Sequence, residues 1–82
     1  MTHQKFDDPV DVLASFSGTK TIPHALKWHN KRYTVQKVNL VHVAREGRGK
    51  MYYFSVSDAT NFFKLKFDTE NMEWRLLELY SE

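Results

Sequence analysis

Between Phe62 and Phe67 the side chains alternate without a break, with Phe63, Leu65 and Phe67 on one parity and Lys64 and Lys66 on the other. Such a segment can hide its apolar groups together only as a β-strand with one buried face, because strand side chains change sides at every residue, whereas a helix would scatter these positions around its circumference. The same period recurs along the chain. Val10–Phe16 places Val10, Val12 and Ala14 on one side, and His24–Trp28 does so with Leu26 and Trp28. Tyr33 and Val35 continue the pattern, and Met51–Ser57 sets Tyr52, Phe54 and Val56 against Met51, Tyr53 and Ser55. Val38 follows Val35 by three residues, which breaks strict alternation and predicts a β-bulge near Gln36-Lys37 before the strand runs on through Leu40, Val41 and Val43.

Turn chemistry separates these runs. Ser17–Lys20, His29–Arg32, Arg45–Lys50, Asp58–Asn61 and Asp68–Asn71 each hold the Gly, Asn, Asp or Ser residues that reversals favour. Asn30 tolerates the positive φ of a tight hairpin, and Gly47 and Gly49 permit another. The last segment, Glu73–Tyr80, reads as a strand with Trp74, Leu76 and Tyr80 on one face and Leu77 with Leu79 on the other. Its good helix formers keep a short helix open as an alternative. Residues 1–9 carry few apolar groups and are expected to be a flexible arm; residues 10–82 are expected to form a single domain. The fold expected is all-β: one antiparallel meander of about six strands, bent into a partly open barrel or strongly curved sheet, with Trp28, Tyr33, Phe54, Phe63 and Trp74 in its interior.

Composition supports this with what it excludes. The 82 residues contain no cysteine, so neither disulfides nor thiolate metal sites can staple the domain, and twelve aromatic rings must supply much of its core. The N-terminal residues lack the apolar run of a signal peptide, and no segment has the length and apolarity of a membrane span, so a soluble cytoplasmic protein is expected. The charge is uneven. Between residues 20 and 50, eight cations (Lys20, Lys27, Lys31, Arg32, Lys37, Arg45, Arg48 and Lys50) face one anion, Glu46, for a net +7, while both flanks are acidic.

Pro23, Trp28, Tyr33, Val35 and Val38, followed by Phe63, Leu65, Asp68 and Trp74-Arg75-Leu76, form a spaced pattern, Pro-x4-Trp-x4-Tyr-x-Val in its first half. Over about residues 10–80 this resembles the DUF6504 family, small bacterial proteins of unknown function whose genes are associated with translesion DNA polymerase loci. The resemblance implies a bacterial, cytoplasmic accessory protein of DNA metabolism and supplies no catalytic residue. The chain departs from that pattern at His42, where relatives often carry tryptophan, and in the short loop Arg45–Lys50, where they carry a longer aromatic segment.

Chemistry-bearing motifs are sparse. His3, His24, His29 and His42 lack the His-x-His or His-x-x-x-His spacing of a metal site, and neither a nucleophile elbow nor a glycine-rich phosphate loop is present. The expectation is a non-catalytic binding domain with no metal and no cofactor. Two partner classes fit. Lys31, Arg32, Arg45, Arg48 and Lys50 would line a groove for the phosphates of single- or double-stranded nucleic acid, with exposed rings such as Tyr53 or Phe62 stacking on unpaired bases. Alternatively, Leu77, Leu79 and Met51 would give the final strand a second apolar face for a protein partner or a homodimer.

Overall fold

A computed structural model describes residues 2–81. Eight strands account for most of them: β1 (Thr2–Pro9), β2 (Asp11–Ser17), β3 (Lys20–Trp28), β4 (Lys31–Thr34), β5 (Lys37–Glu46), β6 (Gly49–Ser57), β7 (Asn61–Asp68) and β8 (Glu73–Ser81). They form two antiparallel sheets, one of five strands in the order β1-β8-β7-β6-β5 and one of three in the order β2-β3-β4. No closed barrel forms, and the described residues contain no helix long and apolar enough to cross a membrane. The all-β expectation holds; the single six-stranded meander becomes eight strands in two sheets.

Two short passages divide the chain between the sheets. At the first, Val10 is buried and donates its N–H to the carbonyl of Trp74 (3.1 Å), closing the ladder of the large sheet before β2 opens the small one. At the second, the Val35 N–H still bonds His24 in the small sheet (2.8 Å), while the Gln36 N–H already bonds Ser57 in the large one (2.9 Å). The three-residue step from Val35 to Val38 therefore marks a strand leaving one sheet for the other, and the register slip of β5 falls just beyond it, between Val38 and Leu40.

The first residues also differ from the loose arm expected. Thr2–Lys5 pair with Ser81–Glu78, and Asp8–Pro9 pair with Leu76–Arg75. Between these stretches Phe6 meets Trp28 edge-on at 4.8 Å, and Arg75 grips both the carboxylate and the carbonyl of Asp7 at 2.7 Å. An edge strand draws its stability from the backbone ladder and one apolar anchor, so a polar sequence does not preclude it.

The core lies between the sheets and comprises Val10, Leu26, Phe54, Val56, Phe63, Leu65, Phe67, Trp74 and Leu76. Burying each of the larger side chains is worth about 1.5–3 kcal/mol. Trp74 stacks on Phe67 with centroids 4.5 Å apart, and Tyr33 meets Phe63 edge-on at 5.0 Å. Trp28 and Tyr33 are half-buried against this cluster, so all five rings expected inside contribute to it.

Local chemistry sets the turns. His29 and Asn30 both have positive φ (51° and 63°), giving the two-residue β3–β4 reversal the twist that antiparallel strands require. The β6–β7 and β7–β8 reversals repeat one device: the Oδ1 atoms of Asp58 and Asp68 each accept the backbone N–H groups two and three residues on, and the side-chain amides of Asn61 and Asn71 donate to the Oδ2 atoms of the same carboxylates.

Strand β8 is a strand throughout, but its faces differ from strict alternation. Lys64 pairs with Glu78 and Leu65 with Leu76, so Leu77 is an extra, bulged residue. Parity reverses there. Leu79 turns inward against the core and opposite Phe63, while Tyr80 turns outward, the reverse of the faces expected for both.

Candidate functional site

The two basic hairpins do not come together. Lys31 lies close enough to Asp58, in the β6–β7 reversal, for its charge to act on that carboxylate. Lys50 instead offers its carbonyl to the N–H and Oγ1 of Thr69 (3.2 and 2.8 Å), in the β7–β8 reversal at the other end of the sheet. The length of β6, roughly 26 Å at the usual strand rise, separates them. Arg32 stands opposite Lys27, beside Asp11 and Leu13 on the far side of the small sheet. The single phosphate groove expected from Lys31, Arg32, Arg45, Arg48 and Lys50 is therefore absent, because alternating antiparallel reversals fall at opposite ends of a sheet.

Arg45, Arg48 and Lys50 do remain together. Arg45 and Lys50 face each other directly across the β5–β6 ladder, an arrangement that costs stability, and none of the three takes part in an ion pair among the described residues.

Tyr53 belongs to a different surface, the outer face of the five-stranded sheet. Three cross-strand rows build it. Phe62, Tyr80 and His3 form the first, with His3 stacked on Tyr80 at 4.0 Å. Leu40, Ser55, Lys64, Glu78 and Lys5 form the second. His42, Tyr53, Lys66 and Arg75 form the third. Rows on one face stand about 7 Å apart. The small Ser55 in the middle row leaves a groove of about 770 Å³ lined by Leu40, His42, Tyr53, Phe62, Lys64 and Tyr80. Phe62, on the central strand of the sheet, is 53% exposed, although its neighbour Phe63 is 3% exposed.

The charges on this face are largely matched. Lys66 and Lys64 lie 3.6 Å from Glu46 and Glu78, and both ammonium groups stand 5.9 Å from the Tyr53 ring centre. The Tyr53 hydroxyl donates to Glu46 at 2.5 Å; this bond, with help from Lys66 and against slight burial, holds the Glu46 carboxyl below its ordinary range and raises the Tyr53 phenol. Glu78 is likewise lowered, chiefly by His3 at 2.8 Å and then by Lys64. For Asp58, partial burial would raise the carboxyl. The Thr60 N–H, the side-chain amide and N–H of Asn61 and the charge of Lys31 outweigh it and set the group below its usual value.

The residues expected to form a protein interface are dispersed. Met51 is buried between Ala44 and Asp68 in the ladders, Leu79 packs on the core, and Leu77 is half-buried at its bulge. The histidines serve separate local contacts, His24 with Ser15 and His29 stacked on Trp28.

Alternation was sufficient to find Lys64, Lys66 and the outward Phe62. Tyr80 escaped because the bulge at Leu77 reverses parity, and His42 and Leu40 gain their place only through the pairing of β5 with β6. No family model, no curated protein and no solved structure matches the chain, so the family resemblance rests on its spaced motif alone.

Proposed function

We propose that this domain is a non-catalytic binding module that holds single-stranded nucleic acid on the outer face of its five-stranded sheet. Bases stack on Phe62, Tyr53 and Tyr80, and Arg45, Arg48 and Lys50 meet phosphates at one end. The carrying observation is Phe62, a large ring more than half exposed on the central strand of a grooved face that also presents Tyr53 and Tyr80, His3 and His42, and Lys5, Lys64 and Lys66. An apolar ring left in water on the stiffest part of a sheet is the arrangement that stacking platforms use. The role suits the DNA-metabolism setting that the family resemblance implies.

A protein partner is the second reading, favoured by the pairing of Lys64 and Lys66 with Glu78 and Glu46, which leaves the groove itself close to neutral. Fluorescence anisotropy with labelled oligothymidine separates the two. Phe62→Ala should weaken binding roughly 5- to 150-fold, the loss of about 1–3 kcal/mol from one stacking ring. Changing Arg45, Arg48 and Lys50 to alanine should lower the salt slope by about 2, near 0.7 for each lost phosphate contact. Absence of binding at low salt overturns the nucleic-acid reading and leaves the protein partner; binding indifferent to Phe62 overturns the outer face as its site.

A further inference from the structure

The two edges of the five-stranded sheet are built differently. The β1 edge carries Lys5, Asp7, Asp8 and Pro9 and a register slip between Lys5 and Asp8, all devices that discourage another strand from adding to it. The β5 edge has no such protection along its middle. It pairs only with β6, spans ten residues, and leaves Leu40 (62%) exposed on the outer face and Val41 (47%) and Val43 (47%) exposed on the inner one. An apolar edge of that length invites strand addition.

We infer that β5 pairs antiparallel with β5 of a second copy of this chain, about a two-fold axis at His42, joining two five-stranded sheets into one of ten. Three features select this occupant and register. A two-fold axis normal to the sheet keeps inner residues opposite inner and outer opposite outer, so centring on His42 sets Val41 against Val43 of the second copy on the inner face and Leu40 against Ala44 on the outer. If Asn39 is passed over as the bulged residue, as it is in the β5–β6 ladder, the same register brings Lys37 opposite Glu46 at both ends. Neighbouring registers do worse: centring on Val41 puts Lys37 against Ala44, and centring on Val43 puts Leu40 against Glu46. Of these three registers only the one centred on His42 opposes valine to valine and lysine to glutamate, with Val38 against Arg45 as its one mixed pair.

The pairing does not depend on what the groove binds, but it would change that surface. Leu40, His42 and Ala44 line the groove and lie on the edge strand, so the outer faces of two copies would meet there and the two grooves would run into one trough across the axis.

Sedimentation equilibrium of the full chain tests this. The wild type should be dimeric at about 100 µM, and Val43→Lys, which sets a charge against Val41 twice per dimer, should raise the dissociation constant at least about 100-fold. Lys37→Glu should raise it roughly tenfold, and Lys37→Glu combined with Glu46→Lys should return it to within about threefold of wild type. The charge swap keeps the test valid if Val43→Lys fails to fold. A monomer at about 1 mM overturns the inference. So does a dimer unaffected by Val43→Lys and by Lys37→Glu but dissociated by Leu77→Lys, which would place the contact on β8.

Discussion

Replacing Phe63 and, separately, Phe62 with alanine measures how differently the two faces of one strand are used. Phe63 is almost wholly buried, meets Tyr33 edge-on and stands between Val56 and Leu79 in the ladders, so its removal leaves a cavity that the surrounding strands cannot close. Buried Phe→Ala changes cost about 3–5 kcal/mol. A domain of this size has roughly 4–12 kcal/mol in all, so the variant should lose from about a quarter of its stability to the whole of it. Phe62 loses only a partial contact with its cross-strand neighbour Tyr80, worth about 0.2–1 kcal/mol. Urea titration followed by tryptophan emission reports both, because Trp74 sits stacked on Phe67 inside the core. With a slope near 1 kcal/mol per molar, Phe63→Ala should lower the midpoint by about 3 M or more and Phe62→Ala by less than about 1 M. Equal shifts, or a larger one for Phe62, would refute the assignment of inner and outer faces on which both the core and the candidate groove depend.

Two further outcomes follow from particular contacts. Because Glu46, Glu78 and Asp58 titrate below their ordinary values in the folded protein, the unfolded chain takes up protons first; their stabilisation is complete above those ordinary values (4.5 for the glutamates, 3.8 for Asp58) and is lost as pH falls through the lowered ones. Urea midpoints should thus be level near neutrality and decline below about pH 4.5, and Glu46→Gln should make that decline shallower; an unchanged slope counts against the Tyr53–Glu46 bond. Phe6→Ala should cost about 1.5–3 kcal/mol in the same assay, since the ring packs on Trp28 and the core, whereas a loose N-terminal arm would make the change silent.

What the sequence disclosed, and what it concealed, follows from the range over which each signal acts. Alternation is local, so Phe63, Leu65, Phe67, Phe54 and Val56 were assignable to the core directly. Turn chemistry is local too: Asn30, Asp58 and Asp68 sit where they were expected and act through their nearest neighbours. The strand order is not local. Nothing in Thr2–Pro9 announces a strand, because its partner β8 lies some seventy residues away and supplies the ladder, the grip on Asp7 and the Leu76 pairing. The basic residues illustrate the same limit. Their number could be counted along the chain, but whether Lys31 and Lys50 share a groove depends on which ends of a sheet their hairpins occupy. The Val35–Val38 step was visible as a break in period; that it carries the chain from one sheet to another became apparent only with both hydrogen-bond partners, His24 and Ser57, in place.

The bulge at Leu77 is the smallest of these concealed features and has the widest effect. A one-residue slip moves every later side chain of a strand to the other face, so Leu77 decides that Leu79 enters the core and that Tyr80 reaches the groove. If the extra residue is what reverses parity, its deletion restores plain alternation without moving anything: Trp74, Leu76 and Leu79 stay inward, and Arg75, Glu78 and Tyr80 stay outward. The β1 ladder would then hold Phe6 and Asp7 in a wider loop between the Lys5 and Asp8 pairs, at a cost of about 1–2 kcal/mol for the disturbed backbone hydrogen bonds. Deleting Lys66 from β7 has the opposite consequence. It removes the one residue between Leu65 and Phe67 on a strand whose pairing with β6 has no slip to absorb the change, so the strand must either turn Phe67 outward or turn Leu65 outward and Lys64 inward, and a loss of several kcal/mol should leave no cooperative transition. Thermal unfolding by circular dichroism therefore should show a lowered but sharp melt for the Leu77 deletion and none for the Lys66 deletion. Two equally broken variants would mean that Leu77 is an ordinary ladder residue and that the faces of β8 are set by something other than its bulge.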